Sequence, residues 1–379
     1  MQPTVAGSTP LVERRRPIHE QEHLVDELLG RARRPTYGEA ARELFAGSNV
    51  VITGAGGSVG GELVAQVAAL SPSSIWMLDH DESSLHAVQL KLFGEGQLSH
   101  ERTVLADIRD FSRMQRLLES FEPDIVFHAA AHKHLAILER YPSEAVKTNA
   151  FGTLATLAAA KRAGSERFIL VSTDKAANPT SVLGASKRLA EIVTRRFGGP
   201  AMARASVRFG NVLGSRGSFL HTLDHQLRHG LAVTVTDPEA DRYFMTIPEA
   251  AGLVIESAVL AGEGETYLLD MGDPVRIVDL VLRYARLRGL PEPAIRFTGL
   301  LPGEKRSEQL LDYSESVEET VHEQIYRVRM ADHDSGVDLV PLADAVATGH
   351  ESEVAAELTR LGFDLQSWAH LKGEELIPA

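Results

Sequence analysis

"NVVITGAGGSVGGELVAQVAAL", Asn49 to Leu70, reads as a strand, a tight loop and a helix. The β-branched run before the loop suits a buried strand, and the apolar residues after it recur at helical spacing. Between them Gly54, Gly57 and Gly60 let the chain turn sharply and bring its backbone close to a ligand. The N–H groups of Ser58, Val59 and Gly60 then open a helix, a position suited to a pyrophosphate. A strand before and a helix after make this far more informative than a bare glycine pattern.

The alternation continues beyond Leu70. Short apolar runs at "SIWMLD", "RTVLAD", "DIVFHAAA", "RFILVST" and "ARASVRF" are separated by segments of helical period such as Glu82 to Leu92 and Ser143 to Ala163. Strands alternating with helices imply an α/β, Rossmann-type, doubly wound parallel sheet. After Arg208 the pattern loosens into "GNVLGSRGS", "TDPEADRYF" and "LPGEK", joined by helices expected over Ile247 to Leu260 and Val275 to Leu287. In an open α/β sheet ligands lie beyond the carboxyl ends of the strands, so this later, smaller half is expected to cap that edge. The expected divisions are an extension over 1–46, a cofactor domain over 47–210 with parts of 240–270, and a substrate-binding region over 211–239 and 271–379. The last ends in two short amphipathic helices. Within the extension, "HEQEHLVDELLGR" carries Leu24 and Leu28 on an apolar face that needs cover, which favours a subunit interface.

The chain has 379 residues, 44% hydrophobic and 24% charged, enough for a substantial core. Its 39 Lys and Arg against 52 Asp and Glu give a net charge of −13, which argues against a general affinity for nucleic acid or an anionic membrane. An anionic ligand must therefore meet a local cluster of basic groups. The absence of cysteine removes disulfides, thiolate nucleophiles and Cys-based zinc sites, and fits the cytoplasm. No apolar run approaches the roughly 20 residues of a membrane span. His128, His132 and His134 lack a carboxylate to complete a recognisable site, so no metal is expected.

Asp79 ends the second strand about 20 residues beyond the glycine loop, where a carboxylate accepts from an adenosine ribose. A 2′-phosphate would meet its negative charge, which favours NAD over NADP. Asp107, ending the third strand, either meets the adenine edge or caps the helix from Phe111.

The glycine loop, "HAAAHKH", "KTNAFGT", "STDKAANPTSVLGASKR", "RFGNVLGSRGS", "RYFMTIPEA", "YLLDMGDPVRIVDL" and "TGLLPGEKRSEQLL" together resemble the polysaccharide-biosynthesis UDP-N-acetylglucosamine 4,6-dehydratases of the extended short-chain dehydrogenase/reductases, from about Asn49 to Leu311. Many of these are membrane proteins, and "DELLGR" looks like the linker to their catalytic half, here in a soluble form. The resemblance implies an NAD-dependent lyase, a homo-oligomer of two or more chains, that oxidises a UDP-sugar at carbon 4, eliminates water across carbons 5 and 6, and reduces carbon 6. It implies a cofactor set of Gly54, Gly57, Ser58, Val59, Gly60, Asp79, Asp107, Ile108, Ala129, Ala130 and Lys187. Thr173, Asp174 and Lys175 become the elimination machinery, with Lys187 on the nicotinamide ribose. Lys133 is placed near the sugar, Asn211 and Arg216 near the diphosphate, and Arg242 and Glu304 near the nucleoside, with Asn149 adding polar recognition. One departure stands out: Leu183 occupies the position of the usual tyrosine, four residues before Lys187.

Elimination needs an acid for the departing hydroxyl and a base for the carbon 5 proton. Asp174 is assigned as acid and Lys175 as base. Adjacent residues can serve one site only if the backbone has left strand geometry, which the following Asn-Pro turn suggests. Leucine takes no proton, so the 4-hydroxyl is left to Thr173 with water, to Asp174, or to a relay through Lys187. Arg208, with Lys133, Arg216 and Arg242, is expected to neutralise a diphosphate. The alternatives are a UDP-sugar 4-epimerase, which needs no elimination pair, and a non-catalytic binder of cofactor and nucleotide sugar.

Overall fold

Among the described residues of the computed structural model, 24–31, 36–94, 101–329, 337–365 and 368, nine strands form one sheet. In chain order the strands are β1 Asn49–Thr53, β2 Ser74–Asp79, β3 Thr103–Leu105, β4 Ile125–His128, β5 Arg167–Val171, β6 Ala203–Arg208, β7 Asn211–Leu213 and β8 Val233–Val235. They continue as β9 Asp241–Arg242, β10 Phe244–Thr246, β11 Glu263–Leu269, β12 Val275–Arg276, β13 Ile295–Phe297, β14 Ser316–Glu319 and β15 Ile325–Arg329. The sheet order is β14-β15-β11-β6-β5-β4-β1-β2-β3. From β11 to β3 every pairing is parallel, while β15 runs antiparallel to β11 and β14 to β15. The chain proceeds from β1 outward through β2 and β3, then returns to place β4 on β1's other side. That reversal opens a crevice at the carboxyl ends of β1 and β4.

Val50 to Thr53 of β1 are all buried, and successive side chains face opposite sides as a two-sided sheet demands. Val50 and Ile52 pack with Leu63, Val67 and Val254 in one layer, whereas Val51 packs with Met114, Leu118 and Leu157 in the other. The helices are delimited by local chemistry. Asp81 caps Glu82–Phe93, which ends at Gly94 in a left-handed conformation, and a capping box of Thr246 and Glu249 starts Ile247–Leu260. The helix Phe111–Phe121 is capped by Asp110, whose carboxylate accepts from the Arg113 N–H at 2.9 Å, so Asp107 does not cap it.

Two details differ from the periodicity. Val275–Arg276 is a short strand on β9, and helix begins only at Ile277. Ser143 to Ala163 is interrupted by a π turn, Val146–Phe151, between the helices Pro142–Ala145 and Gly152–Arg162. The terminal helices Val340–Thr348 and Glu351–Arg360 pack through Leu342, Val354 and Leu358 on Val182, Leu189 and Ile192 of the helix Val182–Phe197. Together with β14 and β15, they build the later chain into the cofactor half.

The stretch 24–31 docks on its own chain. Leu28 is buried among Leu223, Val281 and Tyr284, the Arg283 guanidinium donates to the Leu28 carbonyl at 2.6 Å, and Arg31 pairs with Glu249 at 2.7 Å. The helices Phe219–Arg228 and Ile277–Leu287 thus cover the apolar face for which a subunit interface was expected. Residues 1–23 lie outside the described set.

Candidate active site

A cleft of about 810 Å³ runs along the carboxyl ends of the parallel strands. At one end stands the glycine loop. Gly54 takes a φ of +68°, and a Cβ on Gly60 would stand 2.0 Å from the Gly54 carbonyl oxygen, so the loop packs its backbone against itself. The helix Ser58–Ala68 begins at Gly57 with no side-chain cap. The N–H groups of Ser58, Val59 and Gly60 therefore have no intrahelical acceptor, and all three residues line the cleft. That donor set fits the diphosphate of a dinucleotide. Asp79 braces it, one carboxylate oxygen accepting from Gly56 N–H at 2.9 Å and the other from Asp81 N–H at 3.0 Å. Lone pairs remain on Asp79 for ribose hydroxyls.

The other residues expected around a cofactor, Asp107, Ile108, Ala129, Ala130 and Lys187, also line this cleft. Asp107 is clamped by Arg109 at 2.6 Å, and hydrogen bonding from that guanidinium holds its carboxyl below the usual range despite partial burial. Lys187 is buried and donates to the Val171 carbonyl at 2.7 Å; burial pushes its ammonium down to about 8, against the opposing charge of Glu191. Leu183, 6% exposed, lines the same wall one helical turn earlier. Beneath lies His128, held between the hydroxyls of Thr53 at 2.8 Å and Thr153 at 3.1 Å, and kept neutral by burial and then by Lys187. The described residues contain no metal-holding cluster of His, Cys, Asp and Glu.

At the far end β5 stops at Val171, and Asp174–Ala176 turn as a single 3₁₀ helix followed by Asn178 at φ +41°. The backbone has left strand geometry, and Thr173 and Lys175 both line the cleft. Lys175 Nζ lies 3.0 Å from Asp174 Oδ1, 3.2 Å from Glu308 Oε1 and 3.3 Å from Asn211 Oδ1, one acceptor for each ammonium proton. Burial disfavours its charge, yet Asp174 and Glu308 outweigh burial and hold its pKa above the ordinary lysine value. Asp174 is fully buried behind this pair and does not line the cleft. Its Oδ1 also accepts from the Thr173 hydroxyl at 2.9 Å, while its Oδ2 is buried with no hydrogen-bond partner among the described residues.

The residues expected at a nucleotide sugar fare differently. Asn211 and Lys133 line the cleft, Lys133 donating to the Arg216 carbonyl at 2.6 Å. Arg242 and Glu304 meet each other at 2.9 Å beside Glu308, outside the cleft wall. Asn149 is fully buried; its amide bridges the N–H and carbonyl of His132 and the Ser186 hydroxyl, so it shapes the wall and has no surface for a ligand. Arg208 is corrected outright: with no exposure, it is bound by Glu191 and Glu315 at 2.7 Å each, and meets no ligand. Ser172 donates to Glu191 in the same network. Arg216 lies over the glycine loop, its guanidinium donating to the Gly56 carbonyl and to Ser84 Oγ. Glu308 escaped the sequence reading; its four-residue spacing from Glu304 in "GEKRSEQLL" was the available signal.

Residues 50–330 match the polysaccharide biosynthesis protein family. The probable polysaccharide biosynthesis protein EpsC of Bacillus subtilis is 42% identical over 82% of this chain and 52% of its own length. The capsular polysaccharide biosynthesis protein CapD of Staphylococcus aureus is 42% identical over 83% and 54%. The chain therefore spans about half the length of these curated relatives. Among solved structures, Pen from Bacillus thuringiensis superposes with a TM-score of 0.69 at 31% identity, over 76% of this chain and 89% of that one.

Proposed function

The chain belongs to the polysaccharide biosynthesis protein family, and from that premise we propose that it is an NAD-dependent UDP-N-acetylglucosamine 4,6-dehydratase. The observation that carries this reading is Lys175 on the cleft wall, held at 3.0 Å against Asp174 buried behind it, an acid and base pair for which a 4-epimerase has no use. A bound nicotinamide supplies a reversible hydride acceptor for the oxidation at carbon 4 and the reduction at carbon 6. All proton movements fall to the chain.

Leu183 accepts no proton, and Lys187, one helical turn along on the same wall, is pushed down to about 8 by burial so that part of it is amine near neutral pH. Lys187 is therefore assigned the proton of the 4-hydroxyl. The resulting ketone acidifies carbon 5. As substrate excludes water, Lys175 passes a proton across its 3.0 Å contact to Asp174, because a low-dielectric site favours a neutral pair over an ion pair. That single transfer makes Lys175 a base and Asp174 an acid together. The amine removes the carbon 5 proton, while the proton on Asp174 passes through the Thr173 hydroxyl to the hydroxyl leaving carbon 6. As carbon 6 is reduced, the Lys175 ammonium returns a proton to carbon 5, and the proton held on Lys187 then restores the Lys175–Asp174 ion pair, so water is the only loss.

Incubation with UDP-N-acetylglucosamine and mass spectrometry test the proposal. A product lighter by one water is expected; a product of unchanged mass would make the protein an epimerase, and unreacted substrate a binder.

A further inference from the structure

The loop 214–218 crosses from β7 to the helix Phe219–Arg228 and is pinned from both sides of the cleft. The Arg216 N–H donates to Ser58 Oγ at 3.0 Å, and its carbonyl accepts from Lys133 Nζ at 2.6 Å. Its guanidinium reaches Ser84 Oγ at 2.7 Å and the Gly56 carbonyl. Ser84 in turn donates to Asp81 at 2.6 Å, two residues beyond Asp79. Every side-chain partner of Arg216 thus stands at the glycine-loop end, and none comes from 173–175, from 233–242 or from 304–308.

We propose that Arg216 is a grip on the dinucleotide cofactor, closing over its diphosphate and ribose from the side opposite the glycine loop, and that it does not serve the diphosphate of the sugar substrate. This rests on the dinucleotide reading above. The glycine loop offers only uncharged donors, backbone N–H groups and the Ser58 hydroxyl, on one side of the anion. A guanidinium on the other side adds charge-assisted hydrogen bonds in a protein of net charge −13, where cations at the cleft matter. The grip also suits the chemistry. A cycle that oxidises carbon 4 and reduces carbon 6 of the same sugar returns the cofactor to its starting state, so release between turnovers serves nothing. Retention keeps the reduced form from escaping before it is used. The Lys133 contact makes that lysine a positioning residue for the loop. Arg216 also brings a cation to the ribose end, where the carboxylates of Asp79 and Asp81 alone would repel a 2′-phosphate.

Arg216 is exposed, so its replacement leaves the core intact. The test compares wild type, Arg216→Ala and Arg216→Lys for bound dinucleotide after gel filtration, for the dissociation constants of NAD and NADP by fluorescence titration of their reduced forms, and for that of UDP by calorimetry. The expected result is a dinucleotide dissociation constant raised about 10- to 100-fold in Arg216→Ala, as loss of charged hydrogen bonds implies, with a smaller rise in Arg216→Lys and UDP affinity within about twofold. Unchanged dinucleotide retention, or a loss confined to UDP, would overturn the proposal and return Arg216 to the substrate. Wild-type protein that binds neither dinucleotide would instead remove the cofactor reading on which it rests.

Discussion

Apart from the Arg216 loop that closes over it, the glycine-loop end of the cleft is made of backbone and near neighbours in sequence, whereas the Lys175 end is made of side chains drawn from across the chain. Gly56 and Asp79, which meet at the first end, are 23 residues apart; Lys175 meets Asn211 across 36, and the adjoining Asn178 to Gln309 contact spans 131. Backbone donors fixed by a helix start need no protonation state, so the first end is ready to bind at any pH where the fold holds. The second end is a set of mutually dependent charges. Binding resides in the rigid end and proton transfer in the adjustable one, and each can be damaged without the other.

The largest separation is expected from Lys175→Met. Losing the base should lower dehydration by about 10²–10⁴-fold, measured as the rate of water loss, while dinucleotide affinity stays as in wild type. The substitution also strands Asp174 and Glu308, so the melting temperature should fall, in keeping with the several kcal/mol, about 3–5, that a broken buried pair costs. Equal loss of dinucleotide binding would show that the ends are one unit. The converse variant is Gly60→Ala, whose new Cβ meets the Gly54 carbonyl. Dinucleotide affinity should drop at least about tenfold with roughly 1–3 kcal/mol of stability, while the pH dependence of any remaining turnover keeps its shape.

A subtler break is Glu308→Gln. Removing a negative charge beside the Lys175 ammonium lowers its pKa, and the pair must keep one shared proton to act as base and acid together, so the alkaline, falling limb of kcat against pH should move towards acid by about one unit. An unmoved limb would exclude Lys175 as the base. The smallest effect is expected from Leu183→Tyr. In wild type the first oxidation should quicken as pH rises through about 8, where Lys187 gains its amine form, and a phenol at 183 should quicken it several-fold near neutrality in single-turnover absorbance traces. A folded, dinucleotide-bound variant with no turnover would count against this wall.

The same contrast explains what the sequence disclosed. β1, its loop and its helix are specified within 22 consecutive letters, Asn49 to Leu70, and the structure returns them almost residue for residue. The residues named for a cofactor all line one cleft because strand ends and a glycine turn place them by local geometry. Asn149 and Arg208 were misplaced because a residue type says what it can bind but not which neighbour reaches it first. Glu191 and Glu315 reach Arg208 from two distant segments, and the π turn directs Asn149 to His132. Likewise, β15 joins the sheet only through antiparallel pairing with β11, and β14 only through β15, which no local pattern announces.

The docked stretch 24–31 carries a consequence in time. Its partner Glu249 lies 218 residues after Arg31, and Arg283 lies 255 after Leu28. At about 5–20 residues per second of synthesis, the apolar face of Leu28 waits roughly 10–50 s for the elements that will cover it. Protease protection of ribosome-held chains should therefore reach this stretch only after the helix Ile277–Leu287 has emerged. Made long before the elements that cover it, it is among the last pieces to find its place, and the growing chain must keep it from other company until then.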